Sequence, residues 1–311
     1  MHIEKISLNE ERPEVNLVTY IQNHSKEVGK RPAVIVLAGG SFMYKSERES
    51  EPIALKFASM GYQAFVLNYT TYTEGNKRPD YSAPFIAKDH TQFPTQLKEI
   101  AEAFHVIHEN AEAWHVDTDK IGLAGFSAGG FHTAMYGTSW HRPLVTDLVD
   151  YPVEELKPAF MILSYALTDI LFGRDYEEVK KYLPLLDDGS SKYLKAIMTA
   201  NFGGTEVSKE TIDAYSPIQH IDENTPPAFI WATFEDTTVP VQESITFAKA
   251  MVDEKVPCEL HIFEKGGHGL ATAVNATARS ENETNVAAGE WLNLAEKWLN
   301  VHAPIKPFKV K

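Results

Sequence analysis

The sequence predicts an α/β fold built around a mostly parallel β-sheet. Three observations support this prediction. Short apolar runs recur along the chain, amphipathic helical segments lie between them, and a Gly-Phe-Ser-Ala-Gly motif joins one run to one helix. Alternation of strands and helices favours parallel strands, because each helix carries the chain back across the sheet. We therefore expect helices on both faces of the sheet.

Six apolar runs are continuous enough to be strands buried on both faces. They cover residues 33–38, 63–69, 120–126, 159–164, 228–233 and 258–263. The two N-terminal runs, residues 3–8 and 14–21, have no helix between them. Because adjacent strands joined without a crossover pair antiparallel, we expect these two runs to form a hairpin at the sheet edge.

Helical periodicity fills the segments between the strands. Residues 94–114 place apolar side chains at spacings of three and four, which indicates the buried face of a long helix. Shorter helices are predicted over residues 50–60, 128–137, 241–253 and 287–299. Residues 167–221 interrupt the alternation with glycine-containing turns and short helical pieces. We predict a single domain over residues 1–311, with this segment as an insertion that forms a partial helical cap.

Composition restricts the classes of function. The chain has 311 residues, of which 43% are hydrophobic and 23% are charged, as is usual for a globular protein. Its net charge of −14 argues against nucleic acids and membrane surfaces as partners, because both are polyanions. Cys258 is the only cysteine, so an internal disulfide is impossible. No secretory signal or membrane-spanning run is visible, so we expect a cytoplasmic protein. A homo-oligomer is compatible with the sequence.

The Gly-Phe-Ser-Ala-Gly motif at residues 125–129 is the strongest indication of chemistry. It follows a predicted strand directly and opens a predicted helix, which is the context of a nucleophile elbow. Small residues allow the sharp turn to close, so Ser127 is expected to project above the carboxyl edge of the sheet. The helix N-terminus beside it favours developing negative charge. The alternative is an ordinary glycine-rich connection.

A nucleophilic serine needs a base, and the base needs a carboxylate to orient it. Among the 12 histidines, His268 lies between glycines in a loop just after the sixth predicted strand, and we predict it as the base. The alternative is an incidental loop histidine. Asp236 follows the fifth strand and stands between Ser127 and His268 in chain order, as the carboxylate should. Its neighbour Glu235 is a competing candidate.

Backbone N–H groups are expected to bind the oxyanion of an acyl-transfer reaction. Ala128, the residue after the nucleophile, supplies one candidate donor. Gly40 and Ser41 follow the first of the six strands, where a pair of glycines lets the backbone approach a substrate closely. The alternative for this pair is a simple turn. The sequence has no phosphate-binding loop, dinucleotide-binding fingerprint or Cys/His metal spacing, so we expect no cofactor and no metal.

Taken together, these residues resemble the α/β-hydrolase superfamily. More narrowly, the sequence is similar to bacterial acetyl esterases and acetylxylan esterases, related to the hormone-sensitive-lipase-like group. The segments that carry the resemblance are residues 38–42, 46–54, 125–130, 236–240 and 267–269. The resemblance implies an α/β-hydrolase fold and a serine carboxylesterase acting on a small-molecule ester with a short acyl chain, most simply acetyl. Two residues depart from the usual glycine motif: Ala38 replaces histidine or proline, and Ser41 replaces the third glycine.

Three other functions share parts of this pattern. A serine peptidase of the prolyl-oligopeptidase type has the same triad order, although this chain has no room for a propeller gating domain. A non-catalytic hydrolase-fold binding protein would not need all three triad residues. A lipase acting at lipid interfaces would need an apolar lid, whereas the predicted cap carries many charged residues.

Overall fold

An eight-stranded sheet forms the centre of the structure. The computed structural model describes residues 1–23, 29–171 and 189–305, with the side chains of all these residues except 189–193. The strands are β1 (Lys5–Ser7), β2 (Asn16–Tyr20), β3 (Arg31–Leu37), β4 (Gln63–Asn68), β5 (Val116–Phe126), β6 (Met161–Ser164), β7 (Ala228–Thr233) and β8 (Cys258–Phe263). Each of the predicted strands is present, with bounds that differ by a few residues at most.

The sheet order is β1-β2-β4-β3-β5-β6-β7-β8. Strands β1 and β2 pair antiparallel, as do β2 and β4, whereas the pairs from β4 through β8 are parallel. The antiparallel hairpin predicted at the sheet edge is therefore confirmed. Strand β5 begins earlier than predicted, because Val116 pairs with Arg31 ahead of an irregularity in the β3–β5 register.

Helices connect and cover the strands. The described α-helices are α1 (Glu51–Ser59), α2 (Thr95–Glu109), α3 (Ala128–Gly137), α4 (Pro143–Thr146), α5 (Gly189–Phe202), α6 (Lys209–Ala214), α7 (Val241–Asp253), α8 (Val286–Gly289) and α9 (Trp291–His302). Short 3-10 turns cover Glu47–Glu49, Asp89–Thr91, Val153–Leu156, Pro217–His220 and Glu281–Glu283. None of the described helices combines the length and the apolar character needed to cross a membrane.

Two predicted helices differ from their expected bounds. Helix α2 ends at Glu109 and is capped by Asn110, so Trp114 does not continue it. Trp114 instead reaches the same core from the following turn, where its ring lies 5.4 Å from that of Phe65. The helix predicted over residues 287–299 is two helices, α8 and α9, which meet at Glu290. In the first case the regular spacing of buried side chains continues past the end of α2. In the second case it continues across the break between α8 and α9.

Hydrophobic core covers both faces of the sheet. Successive side chains of β3 point alternately to the two faces, and those on each face are buried. Ile35 and Leu37 pack with residues of α2 and α3 on one face, whereas Val34 and Val36 pack with residues of α1 and α9 on the other. Each fully buried aliphatic side chain contributes about 1.5–3 kcal/mol to folding. The result is an α/β-hydrolase fold, a mostly parallel sheet with helices on both faces, as the sequence predicts.

The predicted cap segment lies partly outside the described residues, since 172–188 are not among them. Its described part contains α5, α6 and the 3-10 turn Pro217–His220, which agrees with the short helical pieces expected there. Phe202 and Tyr215 of this segment pack on Phe93, with ring centroids 5.4 Å apart in both pairs. The role of the segment as a cap stays a prediction.

Candidate active site

Ser127 occupies a strained turn between β5 and α3. Its backbone has φ 51° and ψ −116°, a left-handed conformation that costs a residue with a side chain about 1–3 kcal/mol. The turn is held because the Ser127 N–H donates to the Ser164 carbonyl oxygen at 3.0 Å and the Phe131 N–H donates to the Ser127 carbonyl oxygen at 2.9 Å. The strand–turn–helix context predicted for the motif is therefore present.

Close packing explains the glycines around this turn. A Cβ added at Gly125 would lie 2.2 Å from the Thr133 hydroxyl oxygen, and one at Gly129 would lie 2.2 Å from the Leu37 carbonyl oxygen. Both distances are far below van der Waals contact, so any larger residue would force the turn open. These glycines let α3 start directly against the end of β3, which brings the two loops of the site together.

The three predicted triad residues form one hydrogen-bonded chain. His268 Nε2 lies 2.8 Å from Ser127 Oγ, and His268 Nδ1 lies 2.6 Å from Asp236 Oδ2. The other carboxylate oxygen, Oδ1, accepts the N–H groups of Thr238 at 2.8 Å and Val239 at 3.0 Å. The Asp236 side chain has no exposed surface, whereas that of His268 is 18% exposed. The two backbone N–H groups thus fix Oδ1 of Asp236, and Oδ2 is oriented toward the imidazole of His268.

Glu235, the competing carboxylate, points elsewhere. It pairs with Lys265 at 2.8 Å on the surface and accepts the Gly266 N–H at 3.2 Å. The hydrogen bond from Lys265 lowers the pKa of the Glu235 carboxyl below its usual value. The structure therefore brings Asp236, and not Glu235, to His268.

The loop after β3, here called the glycine loop (residues 38–42), lies directly against Ser127. A Cβ added at Gly39 would be 2.8 Å from the Ser127 Cβ. Gly40 has φ 139°, and Ser41 follows with φ 60°. Among the residues that the structure describes, the N–H groups of Gly40 and Ala128 have no hydrogen-bond acceptor. Two predicted oxyanion donors are thus available beside the nucleophile, and the role of Ser41 stays a prediction.

All of these groups lie at one edge of the sheet. The glycine loop follows β3, Ser127 follows β5, Asp236 follows β7 and His268 follows β8. Parallel strands place their carboxyl ends together, and ligands of open α/β sheets bind at that edge. Within the described ranges there is no group of three or more His, Cys, Asp or Glu side chains suited to a metal ion.

Two buried residues beside the triad, Glu49 and Tyr165, were not predicted from the sequence as part of the site. The Glu49 carboxylate accepts the Gly39 N–H at 2.9 Å, and the Tyr165 hydroxyl donates to it at 2.7 Å. The Tyr165 ring lies edge-on to His268, with centroids 5.0 Å apart. One signal was available: Tyr165 directly follows strand β6 and so shares the sheet edge with the triad.

His132 is buried in α3 with neither ring nitrogen hydrogen-bonded within the described part of the chain. Aromatic rings surround it, including those of Tyr69 at 4.9 Å and Phe42 at 5.4 Å between centroids. Burial lowers the pKa of His132 to about 3, so the ring is neutral. No catalytic role is predicted for His132, and in the described part of the chain no hydrogen bond joins its ring to Ser127, Asp236 or His268.

The neutral His132 predicts a dependence of stability on pH. The unfolded chain binds a proton at this ring below about pH 6.5, whereas the folded chain does not until about pH 3. Stability should therefore fall as the pH drops through this window, by up to about 1.4 kcal/mol per pH unit from this group. Urea unfolding at pH 7 and pH 4.5 should show a smaller loss for His132→Phe than for the unsubstituted protein. Equal losses would contradict the assignment.

Two proteins of known function are similar to this chain in sequence. The chain is 30% identical to endo-1,4-beta-xylanase B of Butyrivibrio fibrisolvens over 83% of this chain and 35% of that protein. It is 25% identical to an acetylxylan esterase of Xylanibacter ruminicola over 77% of this chain and 41% of that protein. The chain therefore spans less than half the length of these two relatives.

A solved structure matches over nearly its full length. The acetyl ester-xyloside bifunctional hydrolase of Caldicellulosiruptor lactoaceticus has a TM-score of 0.72 and 27% identity, and the match covers 97% of each chain. A family model, BD-FAE, matches residues 19–251, which include Ser127 and Asp236. His268 lies beyond the matched residues, so the family match does not extend to the predicted base. Because the match covers well over half of the sequence, this chain belongs to the BD-FAE family.

Proposed function

We propose that this chain is a serine carboxylesterase that hydrolyses short-chain esters, acetyl esters above all, through an acyl-enzyme. The observation that carries the proposal is the continuous hydrogen-bonded chain from Ser127 through His268 to Asp236. Such a set activates a serine hydroxyl that is otherwise a weak nucleophile. The proposed substrate is a small ester in water, with neither nucleic acid nor membrane as a partner.

The first half of the reaction transfers the acyl group to the protein. Ser127 Oγ attacks the ester carbonyl carbon while His268 Nε2 takes the hydroxyl proton. Asp236 accepts the Nδ1–H hydrogen bond, which holds the correct tautomer and stabilises the imidazolium. The tetrahedral intermediate then collapses, His268 returns the proton to the leaving alcohol oxygen, and an ester of Ser127 remains.

The second half releases the acid. A water molecule gives a proton to His268 Nε2 and attacks the acyl carbonyl carbon. The second tetrahedral intermediate collapses, and the proton returns to Ser127 Oγ. In both halves the oxyanion would accept hydrogen bonds from the N–H groups of Ala128 and the glycine loop at Gly40 or Ser41. Each such donor contributes about 10²–10³ to the rate.

Two observations support a short acyl chain. Phe42, in the glycine loop, packs ring to ring against Phe93 at 5.9 Å and Phe131 at 5.2 Å between centroids. Phe42 directly follows Gly40 and Ser41 in the chain, so this aromatic cluster is attached to the loop that carries the candidate oxyanion donors. In addition, the solved relative that matches over nearly its full length is an acetyl ester hydrolase by name. A packed aromatic wall and an acetyl-hydrolysing relative both favour a small acyl group.

Chain-length dependence tests the proposal. The protein should hydrolyse p-nitrophenyl acetate and butyrate, with kcat/KM for the octanoate and palmitate at least about 10-fold lower. An acetylated sugar in the same assay defines the alcohol, and Ser127→Ala serves as the blank. Diethyl p-nitrophenyl phosphate should react with Ser127 Oγ and release p-nitrophenol, so mass spectrometry should find one diethylphosphoryl group on the peptide that contains Ser127.

Other outcomes would replace the proposal. Cleavage of a proline-anilide peptide without any ester hydrolysis would favour the peptidase. Preference for the palmitate would favour a lipase. If no substrate is cleaved and Ser127 is not labelled, the chain is a hydrolase-fold binding protein.

A further inference from the structure

A buried carboxylate next to the candidate active site has no part in the proposed reaction. Glu49 is 3% exposed and ends the 3-10 turn Glu47–Glu49, which begins five residues after the glycine loop. It belongs to the segment of residues 46–54, which carries the family resemblance and has no assigned function. Burial of a carboxylate is unfavourable unless hydrogen bonds compensate for the lost water. Its partners therefore indicate what it does.

The carboxylate of Glu49 joins three loops of the site. Its Oε2 accepts the N–H of Gly39 in the glycine loop at 2.9 Å, and its Oε1 accepts the Tyr165 hydroxyl at 2.7 Å. The Tyr165 hydroxyl oxygen in turn accepts the Ala271 N–H at 3.0 Å. Ala271 lies in the histidine loop (residues 264–273), three residues after His268. The Glu49 and Tyr165 side chains together thus link the loops that follow β3, β6 and β8.

Tyr165 is protonated and fixed in place, so it can donate a hydrogen bond to Glu49 and accept one from Ala271. Burial raises the pKa of its hydroxyl well above the usual value, and the charge of Glu49 raises it further. The hydroxyl therefore keeps its proton and donates to Glu49. Its backbone has φ 39°, and its N–H donates to the Trp231 carbonyl oxygen at 2.7 Å. The preceding residue, Ser164, holds the Ser127 N–H, so the link also reaches the nucleophile turn.

Arg48 holds the same histidine loop from the neighbouring position. Its guanidinium donates to the Gly269 carbonyl oxygen at 2.8 Å, and further along the chain to the Thr277 carbonyl oxygen. It also pairs with Glu283 at 3.3 Å. The histidine loop is therefore fixed at Gly269 by Arg48 and at Ala271 through Glu49 and Tyr165.

We propose that Glu49 is a positioning residue of the acyl-transfer site, where it holds the glycine loop and the histidine loop at a fixed spacing around Ser127. The inference rests on the proposed function. It also removes one N–H of the glycine loop from the candidate oxyanion donors. The Gly39 N–H is committed to Glu49, whereas the Gly40 N–H lacks an acceptor among the described residues and stays a candidate.

Four variants test this role. Glu49→Ala removes both hydrogen bonds, and Tyr165→Phe removes the hydroxyl but keeps the ring against His268. Glu49→Gln keeps an amide oxygen for Gly39, and its amide N–H can donate to the Tyr165 oxygen. Glu47→Gln is the matched control, because Glu47 is exposed on the same turn. The readouts are kcat and KM for p-nitrophenyl acetate, with thermal unfolding followed by circular dichroism.

We expect Glu49→Ala to lower kcat about 10- to 100-fold, as small misplacements of reacting groups do. KM should change by less than about 3-fold, because the lost interaction acts on the transition state. Glu49→Gln should recover most of kcat, and Glu47→Gln should match the unsubstituted protein. Because Glu49 and Tyr165 act through one link, the double variant Glu49→Ala/Tyr165→Phe should lose no more than the worse single variant.

Three results would overturn the positioning role. The first is a folded Glu49→Ala variant with the kcat of Glu47→Gln. The second is a loss that disappears once kcat is divided by the folded fraction at the assay temperature. The third, which applies even if Glu49→Ala does not fold, is a folded Tyr165→Phe variant with unchanged kcat. Failure of the proposed function itself would be recognised separately, because the unsubstituted protein would then not hydrolyse p-nitrophenyl acetate, or Ser127→Ala would hydrolyse it equally well.

Discussion

Ser127→Ala is expected to lower kcat for p-nitrophenyl acetate by about 10⁶-fold at neutral pH, as removal of the serine from a serine–histidine–aspartate set does elsewhere. The physical reason is that His268 then has no hydroxyl from which to take a proton, and no acyl-enzyme can form. The fold should be retained, because the turn is held by backbone hydrogen bonds of residue 127 and not by its hydroxyl. Alanine at a left-handed φ carries the same kind of strain that serine already bears.

The measurement needs a control for contaminating esterases. Ser59→Ala, a change at an exposed serine of α1, should keep the activity of the unsubstituted protein after the same purification. Thermal unfolding should place both variants close to the unsubstituted protein. If folded Ser127→Ala keeps more than about one hundredth of the activity, another residue is the nucleophile, and the assignment of the elbow is wrong.

Asp236→Asn is expected to lower kcat by about 10⁴-fold at neutral pH. The hydrogen bonds around Asp236 explain why. Its Oδ1 accepts two backbone N–H groups, from Thr238 and Val239, so an asparagine keeps its oxygen there and turns its amide N–H groups toward His268 Nδ1. Nδ1 must then accept, and the ring proton moves to Nε2. In that tautomer Nε2 cannot take the proton of Ser127.

Glu235→Gln is the matched control for this variant. It removes the charge of the neighbouring carboxylate, whose partners in the described part of the chain are the Lys265 side chain and the Gly266 N–H. Because both lie on the surface, kcat should change by less than about 2-fold. KM for Asp236→Asn should stay close to that of the unsubstituted protein, because the carboxylate does not contact the substrate. The opposite pattern, a large loss for Glu235→Gln and none for Asp236→Asn, would exchange the roles of the two carboxylates.

Much of the fold and of the candidate site could be predicted from sequence because the relevant signals are local. Apolar runs indicate strands, and the loop after each parallel strand reaches the same edge. The motif around Ser127, the glycines on both sides of His268 and the position of Asp236 in the chain were therefore enough to predict the three residues. The spacing of apolar residues predicted that α2 continues to Trp114, which is wrong. Trp114 is buried, but its side chain reaches the core from the turn after the helix. Burial alone does not distinguish a helix from the segment that follows it.

Glu49 could not be predicted in the same way. Its partners, Gly39, Tyr165 and Ala271, are far apart in sequence from one another, and no spacing rule connects them. A charged residue on a turn also indicates an exposed position, because carboxylates are rarely buried without partners. Only the folded chain shows that the partners exist. Residues 46–54, which include Glu49, resemble the corresponding segment of the related esterases. The resemblance does not show what this segment does.

The described part of the cap segment has a consequence for how this enzyme family can diversify. Residues 189–221 supply none of Ser127, Asp236 and His268, nor the glycine loop, yet Phe202 and Tyr215 of this segment touch the aromatic cluster through Phe93. If the segment acts as the predicted cap, recognition of the alcohol and cleavage of the ester bond would be encoded by separate stretches of the gene. Exchange of this stretch would then change the preference for the alcohol and leave the catalytic residues unaltered.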